Sequence, residues 1–225
     1  MKKLSIKEIV EFRGKSVRAK KNFATNIQLD KPKEETDGGG DYWITSLSAV
    51  SNSYRLNKLD IVKDKIDELE EKYEATDFKR TKTMYKRNID ILYSFEDFDF
   101  KKWRPYKNLK FVKKHRTGAA LTIKGLQLQT NPHHVFTFGK DDAQEIGAIW
   151  FIAKLGGYKK EELGMFTDIL FRYLKINFGK EFGINLKYCI AVDVVKNFAV
   201  SYDQIQSEEV PVLLSATLDE IKKLM

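Results

Sequence analysis

Residues 119–129 read Ala-Ala-Leu-Thr-Ile-Lys-Gly-Leu-Gln-Leu-Gln, and within them the apolar period of the chain becomes two. Leu121 and Ile123 alternate with Thr122 and Lys124, and Leu126 and Leu128 alternate with Gln127 and Gln129, the pattern of half-buried strands. The parity flips across Gly125, which predicts a bulge or kink there. Upstream, residues 1–100 carry helical spacing. Residues 101–118 read as a basic connector, and 119–225 as a domain of strands, one long helix and a short terminal helix. The fold class expected is therefore α+β, an all-helical N-terminal region followed by a mixed or antiparallel sheet domain.

Working downstream, Asn131-Pro132 marks a turn, Val135, Phe136 and Phe138 a strand, and Lys140-Asp141-Asp142 another turn. Residues 146–155 (IGAIWFIAKL) and 188–195 (YCIAVDVV) are apolar on both faces, as central strands are. Between them, Leu163, Phe166, Leu170, Tyr173 and Leu174 define a helix over 160–178, with Asp168 and Arg172 as a surface pair four residues apart. A strand over 198–202 follows, and Thr217-Leu218-Asp219-Glu220 reads as a capping box opening the last helix.

Upstream, Ser5-Ile6-Lys7-Glu8 is a capping box for a first helix interrupted at Gly14. Residues 30–41 (DKPKEETDGGGD) combine Pro, charge and three glycines, which predicts a mobile loop. Trp43, Leu47, Val50 and Tyr54 then mark one buried helix face. Leu59, Val62, Ile66, Leu69 and Tyr73 mark a second, and Tyr85, Ile89 and Leu92 a third, so that 59–95 forms a helical hairpin.

A net charge of +8 conceals an uneven distribution. Between Asp99 and Asp141 there is no carboxylate, yet this interval holds ten Lys or Arg and all three histidines. Eight of the cations (Lys101, Lys102, Arg104, Lys107, Lys110, Lys113, Lys114, Arg116) are interleaved with Trp103, Tyr106, Phe111 and His115. A second basic zone, including Lys7, Arg13, Lys15, Arg18, Lys20 and Lys21, occupies the first helix, and the remainder of the chain is net acidic. Two basic zones on an acidic body steer polyanions, and the interleaved aromatic rings suit stacking on unpaired bases. Competing with this is a connector whose aliphatic stems lie over a junction, with Trp103 and Phe111 buried.

Apolar residues make up 42% of the chain and aromatics 12%, ample for a core, which excludes disorder as a description of the whole. The single cysteine, Cys189, reads as a small buried hydrophobe. The opening MKKLSIKEIV lacks the apolar run of a secretory signal, and no segment approaches the ~20 apolar residues that span a bilayer. A cytoplasmic protein with no membrane partner is expected.

Gly38-Gly39-Gly40 and Gly156-Gly157-Tyr158-Lys159 fit no phosphate-loop spacing, and no GxSxG occurs. Adjacent in a strand, His133 and His134 point to opposite faces and do not chelate one metal as an i,i+4 pair does. His115, inside the basic run, gains charge beside phosphate.

The order of elements over about residues 119–195 resembles the restriction-endonuclease-like PD-(D/E)XK core. The likeness lies in paired strands, a Pro-marked strand start at Pro132, a central strand ending in Lys154, a long helix and a second core strand. The resemblance implies a nuclease-like domain of the kind used in prokaryotic defence and mobile-element systems, in which two carboxylates hold a divalent metal that activates water. Here His133 follows Pro132 and Ile152 precedes Lys154 by two, so both carboxylates of the motif are missing. Asp193, Glu145, Asp141 and Asp142 are the acids available for a rearranged site with Lys154 and Mg²⁺. A buried Asp193 needs a partner, and Lys154 is the expected one.

Three functions follow. The first is a non-catalytic accessory protein binding DNA or RNA, without a cofactor, through residues 101–116 and the first helix. The second is a Mg²⁺-dependent nuclease using Asp193, Glu145 and Lys154. The third is a protein-interaction module docking through the 59–95 hairpin.

Overall fold

The computed structural model describes residues 2–29, 42–106, 109–113, 120–140 and 143–225. The loop expected over 30–41 and the turn at Asp141-Asp142 lie outside them, as do Lys107, Lys114, His115 and Arg116.

A two-residue strand β1 (Leu4–Ser5) leads into α1 (Ile6–Arg13) through the expected capping box. Ser5 Oγ accepts the Glu8 amide at 3.2 Å, and the Glu8 carboxylate accepts the Ser5 amide at 2.9 Å. Gly14 ends α1, and Ser16 caps α2 (Val17–Gln28). Next come α3 (Ile44–Leu56), stopped by Asn57 in the left-handed region, then α4 (Asp60–Glu74) and α5 (Lys79–Tyr93). A short 3₁₀ turn, Phe100–Trp103, closes the helical run.

The strands are β2 (Lys110–Val112), β3 (Ala120–Ile123), β4 (Leu126–Gln129), β5 (His134–Lys140), β6 (Ala143–Ile152), β7 (Gly183–Asp193) and β8 (Phe198–Ser201). The long helix α6 (Lys160–Phe178) joins β6 to β7, and α7 (Tyr202–Gln206) and α8 (Leu214–Lys223) end the chain. The main sheet has the order β2-β5-β6-β7-β8, and only its β6–β7 pair is parallel. A helix is the ordinary means of joining parallel neighbours, so α6 has its place for that reason. A small sheet, β1-β4-β3, holds the N-terminus parallel to β4.

Side-chain parity along the central strands assigns the layers. Ile146, Ala148, Ile152, Cys189 and Ala191 face the core of α1, α2, α6, α7, α8 and the small sheet. Ile149, Phe151, Ile190, Val192 and Val194 face α3, α4, α5 and the 3₁₀ turn. The five N-terminal helices thus divide between the two faces of one sheet. No described helix is long and apolar enough to cross a membrane.

Three local expectations are corrected. Gly125 makes no bulge: Lys124 (φ 52°) and Gly125 (φ 79°) form a two-residue hairpin turn, and Ile123 pairs directly with Leu126. Both central positions of such a turn need positive φ, and facing residues across it share a side, which accounts for the parity flip. The last helix starts at Leu214, so Thr217 lies within it, its hydroxyl donating to the Leu213 carbonyl at 2.7 Å. Asp168 is not on the surface: it is 3% exposed, its oxygens accepting from Arg172 Nε at 2.8 Å and Nη2 at 3.2 Å.

Candidate nucleic-acid interface

The last turn of α3 carries Arg55 to the end of β2, and Arg104 fixes the junction. The Arg104 guanidinium lies 5.3 Å from the centre of the Tyr54 ring and 5.9 Å from that of Phe111, and it donates to the carbonyls of Tyr54 and, at 3.3 Å, Arg55. A cation on the C-terminal carbonyls of a helix satisfies acceptors that otherwise lack donors and complements the dipole. Burial lowers the Arg104 pKa and raises that of the Tyr54 hydroxyl, which donates to the Trp103 carbonyl at 3.2 Å.

Against this frame opens a cavity of about 540 Å³ lined by Arg55, Phe111, Lys113, His133 and His134, among others; none of the described lining residues is Asp or Glu. Arg55 and Lys113 are exposed, and Arg55 lies 5.9 Å over the Phe111 ring. His134 stacks on Tyr54 at 5.8 Å. Its Nε2 lies 2.9 Å from the Ser51 carbonyl and 2.8 Å from the Ser51 hydroxyl, so this nitrogen is engaged by α3. His133 Nδ1 accepts the Phe151 amide at 3.2 Å. Both rings are thus held in place by the neighbouring chain, His134 by Ser51 of α3 and His133 by the Phe151 amide of β6. Arg55 and Lys113 thus give the cavity two exposed cationic side chains that can donate to an anion, with the rings of His133 and His134 in its wall.

His133 also lines a second cleft, of about 430 Å³, between the start of α1, the start of α3 and the end of β6. Trp43, Trp150, Tyr158 and Phe166 supply aromatic walls; Ser5, Lys7, Gln129 and Asn131 supply polar groups.

The acids expected for catalysis are not brought together. Asp193 is fully buried, and its oxygens accept the Tyr158 amide at 2.5 Å and the Val195 amide at 2.9 Å. Lys154 does not pair with it but binds Glu162 at 3.0 Å and lies 4.6 Å over the Tyr158 ring. Glu145 accepts from the Asn185 side chain at 2.9 Å at the far end of the strand, opposite Gly183, whereas Asp193 is opposite Ile152. Seven residue steps along β6 separate these levels, roughly 23 Å at ~3.3 Å per residue. Among the described residues no group of three His, Cys, Asp or Glu side chains could hold a metal ion. Asp193, Glu145 and Lys154 thus do not fit the Mg²⁺ site that the nuclease resemblance implies.

Of the cations expected to bind nucleic acid, Lys101, Lys102, Lys110 and Lys113 are exposed, and half-buried Arg104 serves as the tether described above. Trp103 is corrected: it is 8% exposed and packed among Phe95, Phe98, Phe100 and Phe151, so its face is not available for a base. Arg13, Lys15 and Arg18 belong to the layer on the opposite side of the sheet, where Arg13 donates to Thr217 at 3.0 Å and nearby Lys20 binds Glu220 at 2.7 Å. They do not join the cavity. Arg55 was not legible as a site residue, because in a periodic helix nothing separates it from a solvated charge. Comparison with models of protein families, with curated proteins and with solved structures gave no match.

Proposed function

We propose that this chain is a cytoplasmic nucleic-acid-binding protein that acts without cleaving its ligand, seating a phosphodiester backbone on Arg55 and Lys113 in the cavity walled by His133 and His134. The observation that carries this reading is the lining of that cavity, which among the described residues includes no carboxylate and combines two cations, the rings of His133 and His134 and the Phe111 ring. Exposed Lys101, Lys102 and Lys110 nearby in the chain extend the positive field. What supports a non-catalytic role over the nuclease alternative is the distance between Glu145 and Asp193 and the engagement of both Asp193 oxygens by backbone amides.

Fluorescence anisotropy with labelled single- and double-stranded DNA and RNA tests the reading. Binding is expected at 50 mM salt and should fall linearly on a log-log plot as salt rises, with Lys113→Glu lowering the slope by about one. Absence of binding at 50 mM salt, or a slope unchanged in Lys113→Glu, would overturn it.

A further inference from the structure

Resting on the nucleic-acid reading, we propose that the aromatic cleft and the cationic cavity together form a binding site for one unpaired nucleotide, with its base in the cleft and its phosphate in the cavity. The ligand class follows from what the two spaces share and what they lack. They meet at His133, which lines both, and the described lining residues of both include no Asp or Glu. A ligand spanning them is therefore aromatic at one end and anionic at the other.

The cleft has the volume and lining of a small-molecule site, about 430 Å³ with mostly apolar walls and a few polar groups. Two of the chain's three tryptophans, Trp43 and Trp150, border it, and both are partly exposed. Stacking on such rings is tolerant of base identity, because every base presents a π face. Gln129 and Asn131, at the end of β4 and just beyond it, are exposed amides of the kind that pair with the donor and acceptor edges of a base. Lys7, exposed on the first turn of α1, adds positive charge to the same cleft. The Phe151 amide fixes the His133 ring through Nδ1 at the boundary of the two spaces, where a 5′-phosphate joins base and backbone.

Tryptophan emission of the full chain provides the test, since Trp103 is buried and lines neither space and serves as an internal constant. Adenosine and uridine 5′-monophosphates should quench the emission, whereas ribose 5-phosphate and inorganic phosphate should not. Trp43→Ala should weaken mononucleotide binding about tenfold, Asn131→Ala should weaken it less, and circular dichroism checks that both variants fold. An oligonucleotide carrying one abasic position within an otherwise paired duplex should bind more weakly than the same duplex with an unpaired base there.

Equal affinity for inorganic phosphate and mononucleotide, or for the abasic and unpaired-base duplexes, would overturn the proposal while leaving backbone binding intact. Quenching by mononucleotides without binding of any strand would uphold the nucleotide site, with free nucleotide as its source, and overturn the nucleic-acid reading.

Discussion

Asp193 is a fully buried carboxylate, and its surroundings show how the chain meets the cost. An unpaired charge in a central strand is expensive, so the sequence demands a partner. Lys154 was the partner suggested by side-chain chemistry alone. Backbone amides have no letter in a sequence, and it is the amides of Tyr158 and Val195 that Asp193 accepts from. Gly157, beside it, has φ +70°, and a Cβ there would fall 2.7 Å from Asp193 Oδ2, which keeps the position glycine. Asp193→Asn puts an amide NH₂ where both oxygens now accept. It should cost about 2 to 4 kcal/mol in urea denaturation. Nucleic-acid affinity per folded molecule should stay unchanged, whereas a catalytic or ligand-binding Asp193 would lose function with little loss of stability.

At the scale of elements, periodicity was a good guide to existence and a poor one to edges. The bounds of α6 could be read from Leu163, Phe166, Leu170, Tyr173 and Leu174, because a three-four spacing survives any choice of partner. The same spacing gave α3, α4 and α5, but it says only that a face is buried, not which side of the sheet buries it. The Thr217 box misplaced the start of α8 because a Thr inside a helix can return its hydroxyl to the preceding turn. The N-terminus of α6 allows a quantitative check. Burial pushes the Glu162 carboxyl up, but hydrogen bonds from the Lys159 amide and the Lys154 ammonium outweigh it and hold the group below its ordinary value. A carboxyl whose folded pKa is lowered contributes stability above its unfolded value, about 4.3, and that contribution is lost as pH falls through the folded value. Glu162→Gln should therefore melt earlier than the native chain at pH 7, by less than about 1 kcal/mol because the pair is partly solvated. The difference should shrink in melts recorded at successively lower pH, as the carboxyl takes up its proton.

For the whole molecule, the unequal charge along the chain was visible in sequence, but the side of the sheet each basic zone occupies was not. Chain order cannot show that α1 and α2 pack beside α8 while the 3₁₀ turn packs on the other face of the sheet. The separation allows local and global electrostatics to be told apart. Each charge reversal of a cation removes two charges, so Arg18→Glu with Lys21→Glu takes the net charge from +8 to +4, and so does Arg55→Glu with Lys113→Glu. The two double variants then differ only in where the charge is lost. At 150 mM salt the screening length is about 8 Å, so distant charges contribute little to the bound state. Anisotropy at that salt should find the α2 variant within about twofold of the native chain and the cavity variant weaker by about tenfold or more. Equal losses in both would mean that net charge, rather than the cavity at the end of β2, holds the strand.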